Sequence, residues 1–146
     1  MAYLFLLEDD FDMLIKTEIK SLLDSSATNT KLEKAERTAI DQIKNYIAGR
    51  YDCNIIFAPV TQVDGEPVDN RDRWIMTVTI DIALYHLYAQ SNKKDIPEHR
   101  SERYQDSIDW LKSAGKGTIK TNLPMLEDDK GDIRISSRYT PDNHRY

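Results

Sequence analysis

Apolar residues are spread unevenly along the chain, and the densest run is Trp74 to Ala89. Trp74, Ile75, Met76, Val78, Ile80, Ile82, Ala83, Leu84, Tyr85, Leu87, Tyr88 and Ala89 would cover nearly the whole circumference of a helix. A helix that is apolar all round is buried in a bundle or spans a membrane. Spanning takes ~20 mostly apolar residues, and here Asp81 and His86 fall mid-run while Thr77 and Thr79 interrupt it. The pattern therefore predicts a central helix with other elements on several sides.

Those other elements have weaker signals. Met1 to Leu7 is short and apolar, either a strand or an arm laid on the body, and it lacks the basic lead of a signal peptide. Glu8, Asp9 and Asp10 suit the acidic first turn of a helix, and Phe11, Leu14, Ile15, Ile19, Leu22 and Leu23 carry helical spacing to about Leu23. After a turn at 24–29, Thr30 and Glu33 make a capping box. Leu32, Ala35, Ala39, Ile43 and Ile47 then form one stripe of a second helix, about Lys31 to Ala48, that ends at Gly49. Lys34, Glu36, Arg37, Asp41 and Lys44 are expected on its solvated face.

Cys53 to Phe57 reads as a short apolar run. Ala58 to Asn70 reads as an exposed loop, with a small hairpin turning at Asp64-Gly65 and bearing Val60 and Val68 on its arms. Asn70 is the expected cap of the central helix, with Asp72 in its first turn and its end near Asn92. A fourth helix starts with Asp95 near the cap and Pro97 at the first helical position. Tyr104, Ile108, Leu111 and Ala114 line its inner face, and Gly115 and Gly117 stop it. Thr118 to Thr121 and Ile133 to Arg138 alternate like strands around an acidic turn at Leu126–Asp132.

Length and charge narrow this picture. A chain of 146 residues is one domain, or one domain with an arm. Net charge is −5, against the basic face that phosphate binding needs. From Ile133 on, Arg134, Arg138 and Arg145 against Asp142 give +2, which leaves −7 on the body. Such a tail is either a docking arm for an acidic neighbour or a frayed terminus. The single cysteine, Cys53, excludes an internal disulfide and reads as a small hydrophobe. His86, His99 and His144 lack metal-ligand spacing, and the acidic turn matches no calcium loop. No cofactor, metal or catalytic constellation is indicated. Asp81 is the informative polar residue: inside an apolar helix it needs a cationic partner, for which Arg50 is the first choice and Arg103 the second.

Four pieces occur in one order. A helix with Ala39, Ile43 and Tyr46 runs into Gly49-Arg50-Tyr51. The W-I-x-x-V-x-x-D-I-A-x-Y-x-L-Y helix covers Trp74 to Tyr88. P-E-x-x-x-E-R-Y-x-D-x-I-x-W-L-K begins at Pro97, and Ala114-Gly115-Lys116-Gly117 closes the set. Over roughly residues 3 to 120 the chain resembles the small head–tail connector (adaptor) proteins of tailed bacteriophages. It departs from them in the long polar loop at Ala58–Arg73, in the uncapped start at Glu8-Asp9-Asp10 and in the tail beyond Gly131.

The expected architecture is mainly α: a four-helix bundle around the central apolar helix, with a long loop and a short extended C-terminal tail. Residues 1–120 would be the helical core and 121–146 a docking arm. The resemblance implies a structural virion protein of the neck, made in the bacterial host cytoplasm, with no enzymatic role. It would form a ring with itself, about twelve subunits by family analogy. Its other partners would be the portal protein, a downstream neck or tail protein and passing DNA bound without sequence preference; no membrane is expected. Asp64, Glu66, Asp69 and Asp72 on the loop and Arg134, Arg138, Tyr139, Arg145 and Tyr146 on the tail are candidate interface residues, as are Tyr85 and Tyr88 on the central helix. The competing reading is a nucleic-acid-binding helical module using Arg100, Arg103, Lys112, Lys116 and Lys120, although Glu98, Glu102, Asp106 and Asp109 interrupt that basic set. A small enzyme or toxin-like domain ranks last, for want of a nucleophile, base or metal set.

Overall fold

The computed structural model describes residues 5–12, 30–91 and 96–127. Its elements are α1 (Glu8–Asp12), α2 (Thr30–Ile47), α3 (Cys53–Ile56), β1 (Thr61–Val63), β2 (Glu66–Val68), α4 (Arg73–Ser91) and α5 (Glu98–Lys116). The protein is mainly α. Among the described residues the body is a bundle of α2, α4 and α5, each packed on the other two. The first helix expected from the sequence is described only over Glu8–Asp12, and its continuation to Leu23 lies outside the described residues.

The central helix is α4, as its apolar circumference requires. Ile75, Val78, Ile80, Ile82, Ala83, Leu84 and Leu87 are all buried. Fully burying a side chain of valine or leucine size contributes about 1.5–3 kcal/mol, so this one helix organises much of the core. Thr79 is buried too, and its hydroxyl donates to the Ile75 carbonyl one turn back at 2.7 Å, so no polar atom of it is stranded. The α2 stripe of Leu32, Ala35, Ala39, Ile43 and Ile47 is buried against it, and α5 contributes Ile108, Leu111 and Ala114. Phe5, Leu6 and Phe11 complete the cover, with the Phe5 ring edge-on to Phe57.

Several local expectations are corrected. Asp72, not Asn70, caps α4: its carboxylate accepts from Ile75 N at 2.9 Å and its carbonyl from Met76 N at 3.0 Å. Pro97 is the N-cap of α5 rather than its first helical residue, and Asp95 lies outside the described residues. Cys53–Ile56 is a helical turn, because Asp52 accepts from the Asn54 and Ile55 amides. Thr118–Thr121 forms no strand: the chain runs irregularly until Met125 bridges Tyr51, with Asp52 N donating to the Pro124 carbonyl. Leu123, just past residue 120, is buried in the core.

The hairpin forms as the Asp64-Gly65 dipeptide predicts. Both residues have positive φ, 53° and 84°, the signature of a two-residue type I′ turn. Thr61 pairs with Val68, Gln62 with Pro67 and Val63 with Glu66.

The two glycines near the end of α5 do different work. Gly117 is left-handed at φ 72° and closes the helix, with its own amide and that of Thr118 donating back to Ala114 and Ser113. Gly115 sits inside the helix, where a Cβ would lie 2.2 Å from the Tyr46 carbonyl oxygen of α2. Gly115 thus sets how closely α2 and α5 approach. Gly115→Ala should destabilise the fold by about 1–3 kcal/mol in urea unfolding. Gly49→Ala, with nothing within 4 Å of the new methyl, should be close to neutral; equal losses at both sites would refute the role of helix approach.

Candidate functional site

The polar groups buried in the bundle form separate constellations. The first centres on Asp81, which is 4% exposed on α4. Arg103 Nε donates to its Oδ1 at 3.1 Å and Arg100 Nη1 lies 3.5 Å away. The two arginines are one turn apart on α5, so a single carboxylate fixes the register of α5 on α4. Burial pushes the Asp81 carboxyl above the usual range, while Arg103 and then Arg100 pull it back. The expected Arg50–Asp81 pair is not the one built. Arg50 lies at the opposite end of α5, its guanidinium packed where a Cβ on Gly117 would stand, and the second-choice partner, Arg103, is the one that reaches Asp81.

The second constellation is His86, Gln42, Tyr104 and Tyr85. Gln42 Nε2 donates to the Tyr104 hydroxyl at 2.9 Å, leaving its Oε1 to accept from His86 Nε2 at 2.8 Å. That arrangement selects the Nε2–H tautomer of a neutral imidazole. Burial lowers the His86 pKa, in keeping with neutrality. Tyr85 stacks on Tyr104 with ring centroids 3.9 Å apart, and Tyr88 packs half-buried on the core.

The third constellation clasps the N-terminal segment. Glu36 Oε1 accepts from the Phe5 and Leu6 amides, each at 2.9 Å. Arg71, whose side chain is 3% exposed, donates to the Phe5 carbonyl at 2.9 Å and pairs with Asp10 and Asp69. Arg71 holds the Asp69 carboxyl down at about 2. Burial pushes the Glu36 carboxyl up, opposed by the two amides. Glu36 is fully buried, not solvated as expected. It falls four residues after Leu32 and four before Ile40, on the inner stripe, and that spacing was the available signal. The inward turn of Arg71 carried no signal, since Phe5 and Asp10, the partners that draw it in, lie about sixty residues away in sequence.

The candidate interface residues fall in three groups. Asp64 and Glu66 are exposed on the hairpin, and Asp69 is exposed with its carboxylate on Arg71. Asp72 is engaged as a cap. Arg134, Arg138, Tyr139, Arg145 and Tyr146 lie outside the described residues. Cys53 is half-buried, and burial pushes its thiol up. Among the described residues no three His, Cys, Asp or Glu side chains gather as metal ligands, and no helix is long and apolar enough to cross a membrane.

Open clefts lie on the surface. One, of about 310 Å³, is lined by Phe5, Arg37, Ile40, Asp41, Lys44 and Phe57. Another, of about 200 Å³, lies between the start of α4 and the 120–123 segment, walled by Trp74 and Trp110. These are shallow mixed surfaces suited to contacts between proteins.

Fold and surfaces define a small, mainly helical protein whose buried charges are used to hold elements together. A family model described as Bacteriophage Mu, Gp36 matches residues 5–134. The chain belongs to that family and is a bacteriophage protein. No curated protein and no solved structure matches it.

Asp81→Ala should cost about 3 kcal/mol in chemical unfolding, because it leaves two arginines without their shared carboxylate. Arg103→Ala should cost less, since that side chain is 46% exposed and Arg100 stays beside Asp81. A neutral Asp81→Ala would refute the register role. His86 titrates below its ordinary value of 6.5 when folded, so the unfolded chain takes up the proton first. Stability is therefore full above that value and falls as pH drops below it. Melting curves at about pH 7.5 and about pH 5.5 should differ less for His86→Gln than for the parent chain.

Proposed function

We propose that this chain is a structural virion protein, a head–tail connector that forms a ring of about twelve copies below the portal. It would join the portal to the next neck or tail component, leave a channel for DNA and carry no catalytic activity. The observation that supports this most is the division of labour between body and hairpin. In the body the buried charges of Asp81, Glu36 and Arg71 are matched to partners within the chain. The hairpin, by contrast, is exposed at every residue from Thr61 to Pro67. A rigid body with a formed, unburied projection is the equipment of a subunit that bridges neighbours. Membership of the phage family is consistent with that role.

The acidic body suits a channel wall, which must let DNA slide without capturing it. The alternative of a nucleic-acid-binding module is weakened by Arg100 and Arg103. Both are directed at Asp81, which leaves Lys112 and Lys116 among the acids of α5 and Lys120 beyond its end.

Electron cryomicroscopy of particles made with and without this chain tests the reading. With it, the neck should show a ring into which the bundle fits; without it, filled heads should lack tails. Removing residues 133–146 should leave a folded protein that fails to join the neck. Tailed, infectious particles made without the chain would overturn the proposal, and normal necks with the truncated chain would overturn the role of the tail.

A further inference from the structure

The hairpin and the tryptophan cleft are two exposed surfaces that the fold itself leaves uncovered. An isolated two-stranded hairpin is at best marginally stable in water, and this one makes its principal contacts between its own strands. At its turn Val63 is 56% exposed, flanked by the exposed carboxylates of Asp64 and Glu66.

The cleft has the opposite character. Trp74 is 49% exposed and meets Trp110 edge-to-face at 5.9 Å. Leu123 lies among its lining residues, with Lys120, Thr121 and Asn122 along the same side. The Thr121 hydroxyl is buried without a hydrogen-bond partner. Asp72 also lines the cleft, but its carboxylate is turned to the Ile75 amide at the positive end of α4. The exposed side chains left to face an incoming group are thus the indole of Trp74, the amide of Asn122 and the ammonium of Lys120.

We propose that the β1–β2 hairpin of one copy docks in the Trp74–Trp110 cleft of the next copy. Val63 would rest on the tryptophans, and the carboxylates of Asp64 and Glu66 would face Lys120. The occupant is a second copy because the chain carries both the acidic projection and, beside the exposed tryptophans, the ammonium of Lys120 to receive it, while the Asp72 carboxylate in the same cleft is engaged by the Ile75 amide. Two different surfaces meeting give a head-to-tail contact, which closes into a ring when the rotation allows. Exposed tryptophans are also the residues that most often dominate interface energy. The inference rests on the ring reading above and names the contact that would build the ring.

Engineered cysteines in the full chain test it. In a Cys53→Ala background, particles carrying V63C and N122C together are lysed and mildly oxidised. Docking brings the two Cα atoms within disulfide range of about 7 Å, so a ladder of covalent multimers should appear that neither single variant gives. A second arm reverses charges at exposed positions, where folding should be unaffected and melting curves check that it is. E66K alone and K120E alone should each cut incorporation into necks by about tenfold or more, and the combination should restore it; Asp64 is left in place because its positive φ in the turn does not suit lysine. A ladder with charge-swap rescue supports the docking. A ring of this chain in the neck without a ladder overturns the docking alone, as does cross-linking of Val63→Cys to a different neck protein or to its own counterpart. Necks that contain no such chain overturn the ring reading as well.

Discussion

The constraint on which the structure depends is the circumference of α4. A helix with apolar side chains on every side has to be enclosed, and two partner helices leave part of it open. The N-terminal segment adds to the same core: Phe5, Leu6 and Phe11 are as deeply buried as the residues of α2 and α5. Enclosure also creates the polar problem at Asp81. Whichever element covers that side must bring positive charge, and α5 does so with two arginines one turn apart. Burial of a charge is weak evidence for stability but a strong device for register. Sliding α5 by one turn would leave only one of the two arginines beside Asp81.

The N-terminal segment presents the complementary difficulty. Its backbone amides at Phe5 and Leu6 are buried without a helix or sheet to satisfy them. Glu36 supplies one carboxylate oxygen to both, and Arg71 supplies a donor to the Phe5 carbonyl. The second Glu36 oxygen has no partner, and burial raises the pKa of the group. The cost of burying that carboxylate is accepted because three segments distant in sequence meet around it and Arg71. Asp69 and Asp72 extend the same junction toward the hairpin and the start of α4. The hairpin therefore emerges from a fixed base.

Much of this organisation was legible in the sequence where period alone decides it. The α2 stripe, the all-round apolar α4, the inner face of α5, the Asp64-Gly65 turn and the stop at Gly117 each follow from local chemistry. What period does not decide is how helices are rotated and slid against one another. Arg50 and Arg103 were both within plausible reach of Asp81, and only the packed arrangement distinguishes them. Glu36 was misread because a charged residue was assigned outward despite its spacing. Asn70 and Asp72 are both good caps, and the choice between them follows from Arg71, which is drawn inward by Phe5 and Asp10. Gly115 looked like a stop signal because close approach to Tyr46 leaves no trace in α5 alone.

The hairpin is a projection without a core of its own. A flexible loop would lose conformational freedom on contact, about 1–2 kcal/mol for each backbone residue fixed. Here the positive φ values of Asp64 and Gly65 and the antiparallel register favour one backbone arrangement, so less freedom is left to lose on contact. Pro67 on β2 removes one amide from an exposed edge, which discourages indiscriminate strand pairing. What the hairpin presents outward is then carried by its side chains, above all the exposed Val63, Asp64 and Glu66. An exposed hairpin that is blunted at its edge and acidic at its turn is better suited to one matched surface than to many.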